Sequence, residues 1–239
     1  MAASIENLKI KIFADGADLN GMLEMHKNPY IKGLTTNPTL MRKAGITNYK
    51  AFALEVLSQI KDKPISFEVF SDELPEMKHQ AVEISSWGKN VYVKIPITNT
   101  LGESTQDVVA YLVQQGVKVN VTALMTTEQV IRTSKVLDSS VPSYVSVFAG
   151  RIADTGRNPE IIMVQSLQAL KNLAKTELIW ASPRELFNVF QAERIGCHII
   201  TATNDILQKI KLIGYDLNDY SLDTVKMFKN DADAAGYKI

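Results

Sequence analysis

The segment NVYVKIPIT (residues 90–98) has the apolar, β-branched composition of a buried strand, with a long cation, Lys94, at its centre. Apolar runs of similar length recur along the chain, at residues 9–14, 31–36, 64–70, 117–122, 143–149, 177–182 and 197–202. Amphipathic stretches separate them, several with helix-start residues at one end or a glycine at the other. Eight strand–helix units between residues 9 and 214 predict an α/β fold, a (β/α)8 TIM barrel. The alternative is an open doubly wound sheet, whose glycine-rich first turn is missing from the sequence.

The chain is expected to form a single domain, residues 1–239, because no linker, low-complexity tract or long charge run divides it. A further amphipathic segment at residues 219–237 predicts an additional C-terminal helical tail. Its apolar residues have two interpretations. They either cap the chain's own barrel or pack on another subunit.

Charge and hydropathy restrict the classes of partner. Lys and Arg total 26 and Asp and Glu total 26, so no basic excess favours nucleic acid or an anionic membrane. No run of about 20 apolar residues predicts a membrane span. The first ten residues, MAASIENLKI, lack the apolar core of a signal peptide. A cytoplasmic location is expected because the sequence has a single cysteine.

No cofactor is expected from the sequence. The three histidines, His26, His79 and His198, have no metal-ligand spacing, and no glycine-rich nucleotide motif occurs. A single cysteine, Cys197, excludes an intrachain disulfide, and its apolar surroundings predict a buried structural residue rather than a nucleophile.

Polar or ionisable residues occur near the C-terminal ends of seven predicted strands. In chain order they are Asp15, then Thr35, Thr36 and Asn37, then Glu68, Lys94, Asn120 and Thr122, Ser146 and Arg151, and finally Ser182 and Arg184. Active sites of (β/α)8 barrels lie at this end of the strands. Because unpaired polar groups are costly inside a barrel, the pattern predicts a functional pocket, with a purely structural polar network as the alternative.

Lys94 has two interpretations from the residues alone. It is either the partner of Glu68 or Asp15 in a buried ion pair, which adds little net stability, or a Schiff-base lysine. In the second case a neutral amine attacks a substrate carbonyl, and the resulting iminium acts as an electron sink.

Five ordered motifs resemble those of the transaldolases. They are GLTTNPTL (33–40), VYVKIPIT (91–98), VNVTA (119–123), VSVFAGRI (145–152) and ASPR (181–184). The resemblance covers roughly residues 9–215, and the chain length is similar to that of the short-chain subfamily, which includes fructose-6-phosphate aldolase.

The resemblance implies a role for each candidate residue. Lys94 would form the Schiff base, Asp15 would be the acid/base at a sugar hydroxyl, and Glu68 and Thr122 would hold the water that relays protons. The substrate-binding residues would be Asn37, Thr36, Asn120, Ser146 and Phe148 near the dihydroxyacetone unit, and Arg151, Ser182 and Arg184 at the phosphate. No metal or organic cofactor would be needed, and subunits would assemble as a pentamer or decamer through the C-terminal tail.

Three residues favour a transaldolase over an aldolase. The aldolase branch resembles this chain except for Gln at the position of Glu68, Tyr at that of Phe148, and no amide at that of Asn120. The implied activity is therefore transfer of dihydroxyacetone from sedoheptulose 7-phosphate or fructose 6-phosphate to glyceraldehyde 3-phosphate or erythrose 4-phosphate, in the pentose phosphate pathway. The alternatives are an aldolase that releases free dihydroxyacetone and a non-catalytic barrel that binds sugar phosphates.

The chain departs from the family pattern at three places. They are Gly16 after Asp15, Pro183 within ASPR, and the segment 201–203, where a proline would be expected. These departures concern acceptor specificity and the geometry of the phosphate loop more than the chemistry of the lysine.

Overall fold

The computed structural model describes residues 5–238, and its eight strands are all parallel and close into one barrel. The strands are β1 (Lys11–Asp15), β2 (Ile31–Thr35), β3 (Ile65–Glu68), β4 (Val91–Pro96), β5 (Val119–Leu124), β6 (Ser143–Val147), β7 (Thr176–Trp180) and β8 (Ile199–Thr203). β1 pairs with β8 along its whole length, from Lys11–Ile199 to Asp15–Thr203. The predicted (β/α)8 barrel is therefore confirmed, and the open sheet is excluded.

Helices surround the barrel and follow the strands. They are α1 (Leu19–Lys27), α2 (Pro38–Lys43), α3 (Tyr49–Gln59), α4 (Leu74–Ser86), α5 (Gln106–Gln114), α6 (Thr127–Ser134), α7 (Ala149–Asp154), α8 (Pro159–Leu170), α9 (Phe187–Arg194), α10 (Asn204–Leu207) and α11 (Leu217–Ala235). Short 3-10 turns occupy Ile5–Asn7 and Gln208–Leu212. Side chains cap several helices, as where Thr126 and Gln129 form a capping box at the start of α6.

The strands are apolar on both faces because helices cover the outside and side chains fill the inside. All five residues of β6 are buried, as are the first five of β4. Inside the barrel, Tyr92 stacks on Tyr144 with ring centroids 4.0 Å apart, and Phe13 meets Tyr144 edge-on. Gly33 makes room for Phe13, because a Cβ there would overlap the phenyl ring. This packing fills the barrel with apolar side chains below the polar strand ends.

The C-terminal helix α11 makes little contact with the barrel. None of its residues is buried, although Leu222, Val225, Met227 and Phe228 are apolar. Asp216 caps its first turn, and Gly236, with φ of +68°, ends it in the left-handed conformation. The helix was predicted at 219–237 and begins and ends two residues earlier.

Two further observations concern residues 5–238 alone. No helix in this range combines the length and the hydropathy that a membrane span requires. Cys197 is buried, and burial raises the pKa of its thiol to about 12, as expected for a structural cysteine.

Candidate active site

A cleft of about 680 Å³ opens at the C-terminal ends of the strands. Every candidate residue except Thr36 lines it: Asp15, Asn37, Glu68, Lys94, Asn120, Thr122, Ser146, Phe148, Arg151, Ser182 and Arg184. The Thr36 side chain is fully buried outside the cleft and donates its hydroxyl to the Ser66 carbonyl oxygen. The neighbouring Thr35 faces the cleft instead, since adjacent residues at a strand end point to opposite faces.

Lys94 projects from β4 beside Glu68 of β3, because the two residues are register partners in the parallel ladder. Its Nζ lies 3.1 Å from Glu68 Oε2 and donates to the Thr36 carbonyl oxygen at 2.9 Å. The lysine is only 6% exposed. The predicted ion pair with Glu68 is present, and it holds the amine at the wall of the cleft.

Asp15, the last residue of β1, is held by a chain of hydroxyl groups. Thr35 Oγ1 donates to Asp15 Oδ1 at 2.7 Å, and Thr201 Oγ1 lies 2.6 Å from Thr35 Oγ1. Asn37 Nδ2 donates to Asp15 Oδ2 at 3.4 Å. Burial raises the pKa of Asp15 above its ordinary value, and the positive charge of Lys94 opposes this. A raised pKa lets this carboxyl exchange a proton closer to neutral pH.

Thr201 was not among the sequence candidates. It lies on β8, where its register partner is Phe13 of β1. When Asp15 is ionised, the Thr201 hydroxyl donates to the Thr35 hydroxyl, and the Thr35 hydroxyl donates to the Asp15 carboxylate. The period-two pattern of a strand could have indicated its inward direction, but the run at 197–202 gave no reason to single it out.

Tyr49 of α3 supports Glu68 and was also missed. Its hydroxyl accepts from the Glu68 backbone N–H at 2.8 Å and donates to the Glu68 carbonyl oxygen at 2.7 Å. β2 pairs with β3 only through Leu34–Ile65 and Thr35–Ser66, so Glu68 lies beyond the last strand pair. One phenol group therefore replaces the missing strand partner and fixes the backbone from which the Glu68 side chain projects.

A second polar chain crosses β5, β6 and β3. Ser146 Oγ donates to Asn120 Oδ1 at 2.7 Å, and Asn120 Nδ2 donates to Ser66 Oγ at 3.0 Å. The Thr122 hydroxyl is buried with no hydrogen-bond partner among residues 5–238. Such a group is costly in a folded protein unless another molecule satisfies it, which is typical of a binding site.

The two candidate arginines line the same cleft, Arg151 from α7 and Arg184 from the segment after β7. The Arg151 guanidinium lies 5.7 Å from the centroid of the Phe148 ring. Arg184 forms an ion pair with Asp154, the last residue of α7, and also donates to Ser182. Ser182 has φ of +58° and Ala123, also in the cleft wall, has φ of +63°. Left-handed conformations of non-glycine residues are concentrated at functional sites.

The three departures from the family pattern also lie near the cleft. Pro183 lines it beside the arginines. Thr203, the last residue of β8, donates its hydroxyl to Asp205, and both line the cleft near Asp15. A second cavity of about 450 Å³ adjoins the cleft at Asp15, and Gly16 lines it with free space where a Cβ would stand.

No group of three or more His, Cys, Asp or Glu side chains within the described chain is arranged to hold a metal ion. The groups that line the cleft are an amine, three carboxyl groups, hydroxyl and amide groups, and two guanidinium groups.

Comparison with known proteins gives a consistent family. The family model described as Transaldolase/Fructose-6-phosphate aldolase matches residues 12–239. A protein named probable transaldolase from a Thermoanaerobacter species is 32% identical and covers 96% of this chain and 100% of its own. One of the same name from Caldicellulosiruptor saccharolyticus is 34% identical, over 84% of this chain and 89% of its own.

Solved structures resemble the chain in fold alone. A crystal structure of an HpcH/Hpal aldolase/citrate lyase family protein from Burkholderia cenocepacia superposes with a TM-score of 0.58 at 13% identity. It covers 91% of this chain and 95% of its own. At this identity the match supports the barrel architecture and says nothing about substrate.

Proposed function

This chain belongs to the transaldolase/fructose-6-phosphate aldolase family, and from that premise we propose that it transfers dihydroxyacetone units through a Schiff base on Lys94. The proposed donors are sedoheptulose 7-phosphate and fructose 6-phosphate. The proposed acceptors are glyceraldehyde 3-phosphate and erythrose 4-phosphate, in the pentose phosphate pathway and in the cytoplasm. One observation carries the proposal: a buried amine and a partly buried carboxyl group, Asp15, line the same cleft.

In the first step the neutral amine of Lys94 attacks the C2 carbonyl carbon of the ketose. The carbinolamine then loses its oxygen as water and becomes an iminium ion. Glu68, 3.1 Å from the amine, and Thr122, whose hydroxyl has no hydrogen-bond partner among residues 5–238, are suited to hold the water that carries these protons.

In the second step Asp15 removes the proton from the C4 hydroxyl of the substrate. The C3–C4 bond breaks, the aldehyde leaves, and the electron pair is stored as an enamine on Lys94. The acceptor aldehyde then forms a new bond to the enamine carbon, and Asp15 returns the proton to its oxygen. Hydrolysis of the new iminium releases the product ketose and the free lysine.

Asn37, Asn120 and Ser146 are proposed to bind the hydroxyl groups of the dihydroxyacetone unit. Arg151, Ser182 and Arg184, which line the cleft, are proposed to bind the phosphate, since guanidinium groups match phosphate oxygens in geometry and charge. A phosphate held away from the bond that breaks contributes orientation rather than chemistry.

The proposed transfer is distinguished from simple cleavage by Phe148. A tyrosine hydroxyl at this place would help protonate the enamine and release free dihydroxyacetone, whereas a phenyl ring leaves the enamine waiting for an acceptor. The Phe148→Tyr variant is expected to release more free dihydroxyacetone from fructose 6-phosphate without acceptor. No gain in release over the wild-type protein would contradict this role.

The direct test of the function is product analysis. Fructose 6-phosphate and erythrose 4-phosphate should yield sedoheptulose 7-phosphate and glyceraldehyde 3-phosphate. Free dihydroxyacetone as the main product would identify an aldolase instead. Binding of fructose 6-phosphate that persists in Lys94→Ala, together with no turnover by the wild-type protein, would favour a non-catalytic sugar-phosphate barrel.

We also propose that the chain forms a homo-oligomer, a pentamer or decamer, through α11. The apolar residues Leu222, Val225, Met227 and Phe228 are at least half exposed on a helix that buries none of its own residues. Light scattering on a chain that ends at Tyr220 is expected to give a smaller particle than the full chain. An unchanged particle mass would exclude this use of the helix.

A further inference from the structure

The loop after β7, residues 181–184, is packed tightly against α7. A Cβ at Gly150 would overlap the Ser182 carbonyl oxygen, so only glycine permits this approach. The same carbonyl accepts from Arg184 Nη1 at 3.0 Å, and Ser182 Oγ lies 2.9 Å from that nitrogen. Asp154, four residues after Gly150 on α7, binds the other edge of the guanidinium. α7 thus contacts this loop at two points.

The hydrogen bonds of Arg184 leave it few free donors. A guanidinium group has five N–H bonds. Nε donates to Asp154 Oδ1 at 2.8 Å, Nη2 donates to Asp154 Oδ2, and Nη1 donates to the two oxygens of Ser182. One N–H of Nη2 is left, and the plane of the group is fixed on both edges.

The Arg151 guanidinium, unlike that of Arg184, is not held by a carboxylate of the described chain. Within residues 5–238 no carboxylate lies within ion-pair distance of Arg151, whose guanidinium rests near the Phe148 ring. Asp154 nevertheless feels both cations, and the hydrogen bond from Arg184 together with both positive charges lowers the pKa of its carboxyl. Asp154 is therefore an anion beside two arginines that line the cleft.

We propose that Asp154 is a positioning residue that orients Arg184 toward the substrate phosphate, and that Arg151 supplies the main direct contact. This inference rests on the proposed function, because it assigns the phosphate to this end of the cleft. An Asp154 that only stabilised the fold would not affect phosphate binding when Arg184 is removed, whereas an Asp154 beside the phosphate would. Removal of Arg184 alone leaves an unpaired carboxylate close to the phosphate, and like charges at short distance repel.

A double-mutant cycle tests this coupling. Asp154→Asn is expected to raise the KM for fructose 6-phosphate about fivefold and to change kcat less than twofold, since orientation of a remote phosphate is lost. Arg184→Met is expected to raise KM about a hundredfold. The double variant should have a KM below that of Arg184→Met, because the repelling carboxylate is gone. Asp154→Glu should recover part of the loss.

The control is Glu83→Gln, which breaks the exposed Lys50–Glu83 ion pair outside the cleft and should leave KM unchanged. An unchanged KM in Asp154→Asn, or a double variant whose KM is not below that of Arg184→Met, would overturn the inference. So would a lower KM in Asp154→Asn, because Asp154 would then compete with the phosphate instead of orienting its ligand.

Two readouts separate this inference from the proposed function. Calorimetric binding of inorganic phosphate measures the same cycle without turnover and should follow the same order of variants. Borohydride trapping with free dihydroxyacetone, which has no phosphate, should label all variants equally. If all variants are labelled equally but the single-variant effects on phosphate binding are additive in the double variant, only the role of Asp154 is overturned. If the wild-type protein is not labelled at all, the Schiff-base function is overturned.

Discussion

The phenol of Tyr49 offers a precise perturbation, because Tyr49→Phe removes one oxygen and leaves the ring. The ring contacts Phe67, Phe70 and Trp87, with centroid distances of 6.4, 5.6 and 5.8 Å, and these contacts do not depend on the hydroxyl. The hydroxyl makes both hydrogen bonds to the Glu68 backbone. The variant therefore leaves one N–H and one C=O of a partly buried strand end without their partner.

The expected loss is about 2 kcal/mol of unfolding free energy, since an unpaired buried polar group costs about 1–3 kcal/mol and this end is partly buried. For a chain of this size that corresponds to a fall in Tm of about 4–8 °C. Because Glu68 faces the Lys94 amine at 3.1 Å, a shift of its backbone should also lower kcat, by up to about tenfold.

Thermal unfolding and steady-state transfer rates measure the two effects. Tyr215→Phe is the matched control, because the Tyr215 hydroxyl makes one hydrogen bond to Asp223 on the exposed surface. Its loss should change Tm by no more than about 2 °C. A Tyr49→Phe variant with the Tm of this control and an unchanged kcat would show that water replaces the phenol at no cost and that Tyr49 does not support Glu68.

Three other predictions follow from single residues. Gly150→Ala forces the Ser182 carbonyl to move. The variant should therefore lose about 1–3 kcal/mol of unfolding free energy and have a higher KM for phosphorylated substrates, whereas a normal Tm and KM would contradict the close contact. Asp15→Asn should abolish transfer yet stabilise the protein at pH 7, because the pKa of buried Asp15 is raised and the charged form is the costly one. The difference in unfolding free energy between Asp15→Asn and the wild-type protein should shrink as the pH falls through the Asp15 pKa toward 3.8. Denaturant titrations at several pH values measure this difference, and a difference that stays constant with pH would contradict a raised pKa. Cys197 should resist alkylation at pH 8 until the chain is unfolded, whereas rapid labelling of the native protein, followed by mass spectrometry, would show that it is accessible.

The strands and the cleft could be predicted because they depend on local patterns. Apolar runs of strand length recur at regular spacing, and their polar ends converge when the barrel closes. The short helices α2 and α7, with six residues each, are too short to show a repeating spacing of apolar residues. Helices α1 and α3 begin after Asp18 and Asn48, whose side chains cap them in the usual way.

The supporting residues could not be predicted, because their partners are distant in the chain. Tyr49 precedes Glu68 by 19 positions, and Asp154 precedes Arg184 by 30. Neither pair shares a helix face or a strand ladder, so only tertiary packing brings them together. The sequence also did not settle which of two neighbouring threonines, Thr35 or Thr36, faces the cleft. The choice between Thr35 and Thr36 depends on where β2 ends, and strand ends are the least certain part of a pattern.

The measurement that tests the central claim most directly is borohydride trapping with fructose 6-phosphate, followed by mass spectrometry of the peptides. A Schiff base on Lys94 should give a three-carbon adduct on the peptide that contains this residue, and the adduct should be lost when erythrose 4-phosphate is added before the borohydride. If no ketose phosphate gives an adduct, Lys94 is only the ion-pair partner of Glu68, and the Schiff-base mechanism is wrong.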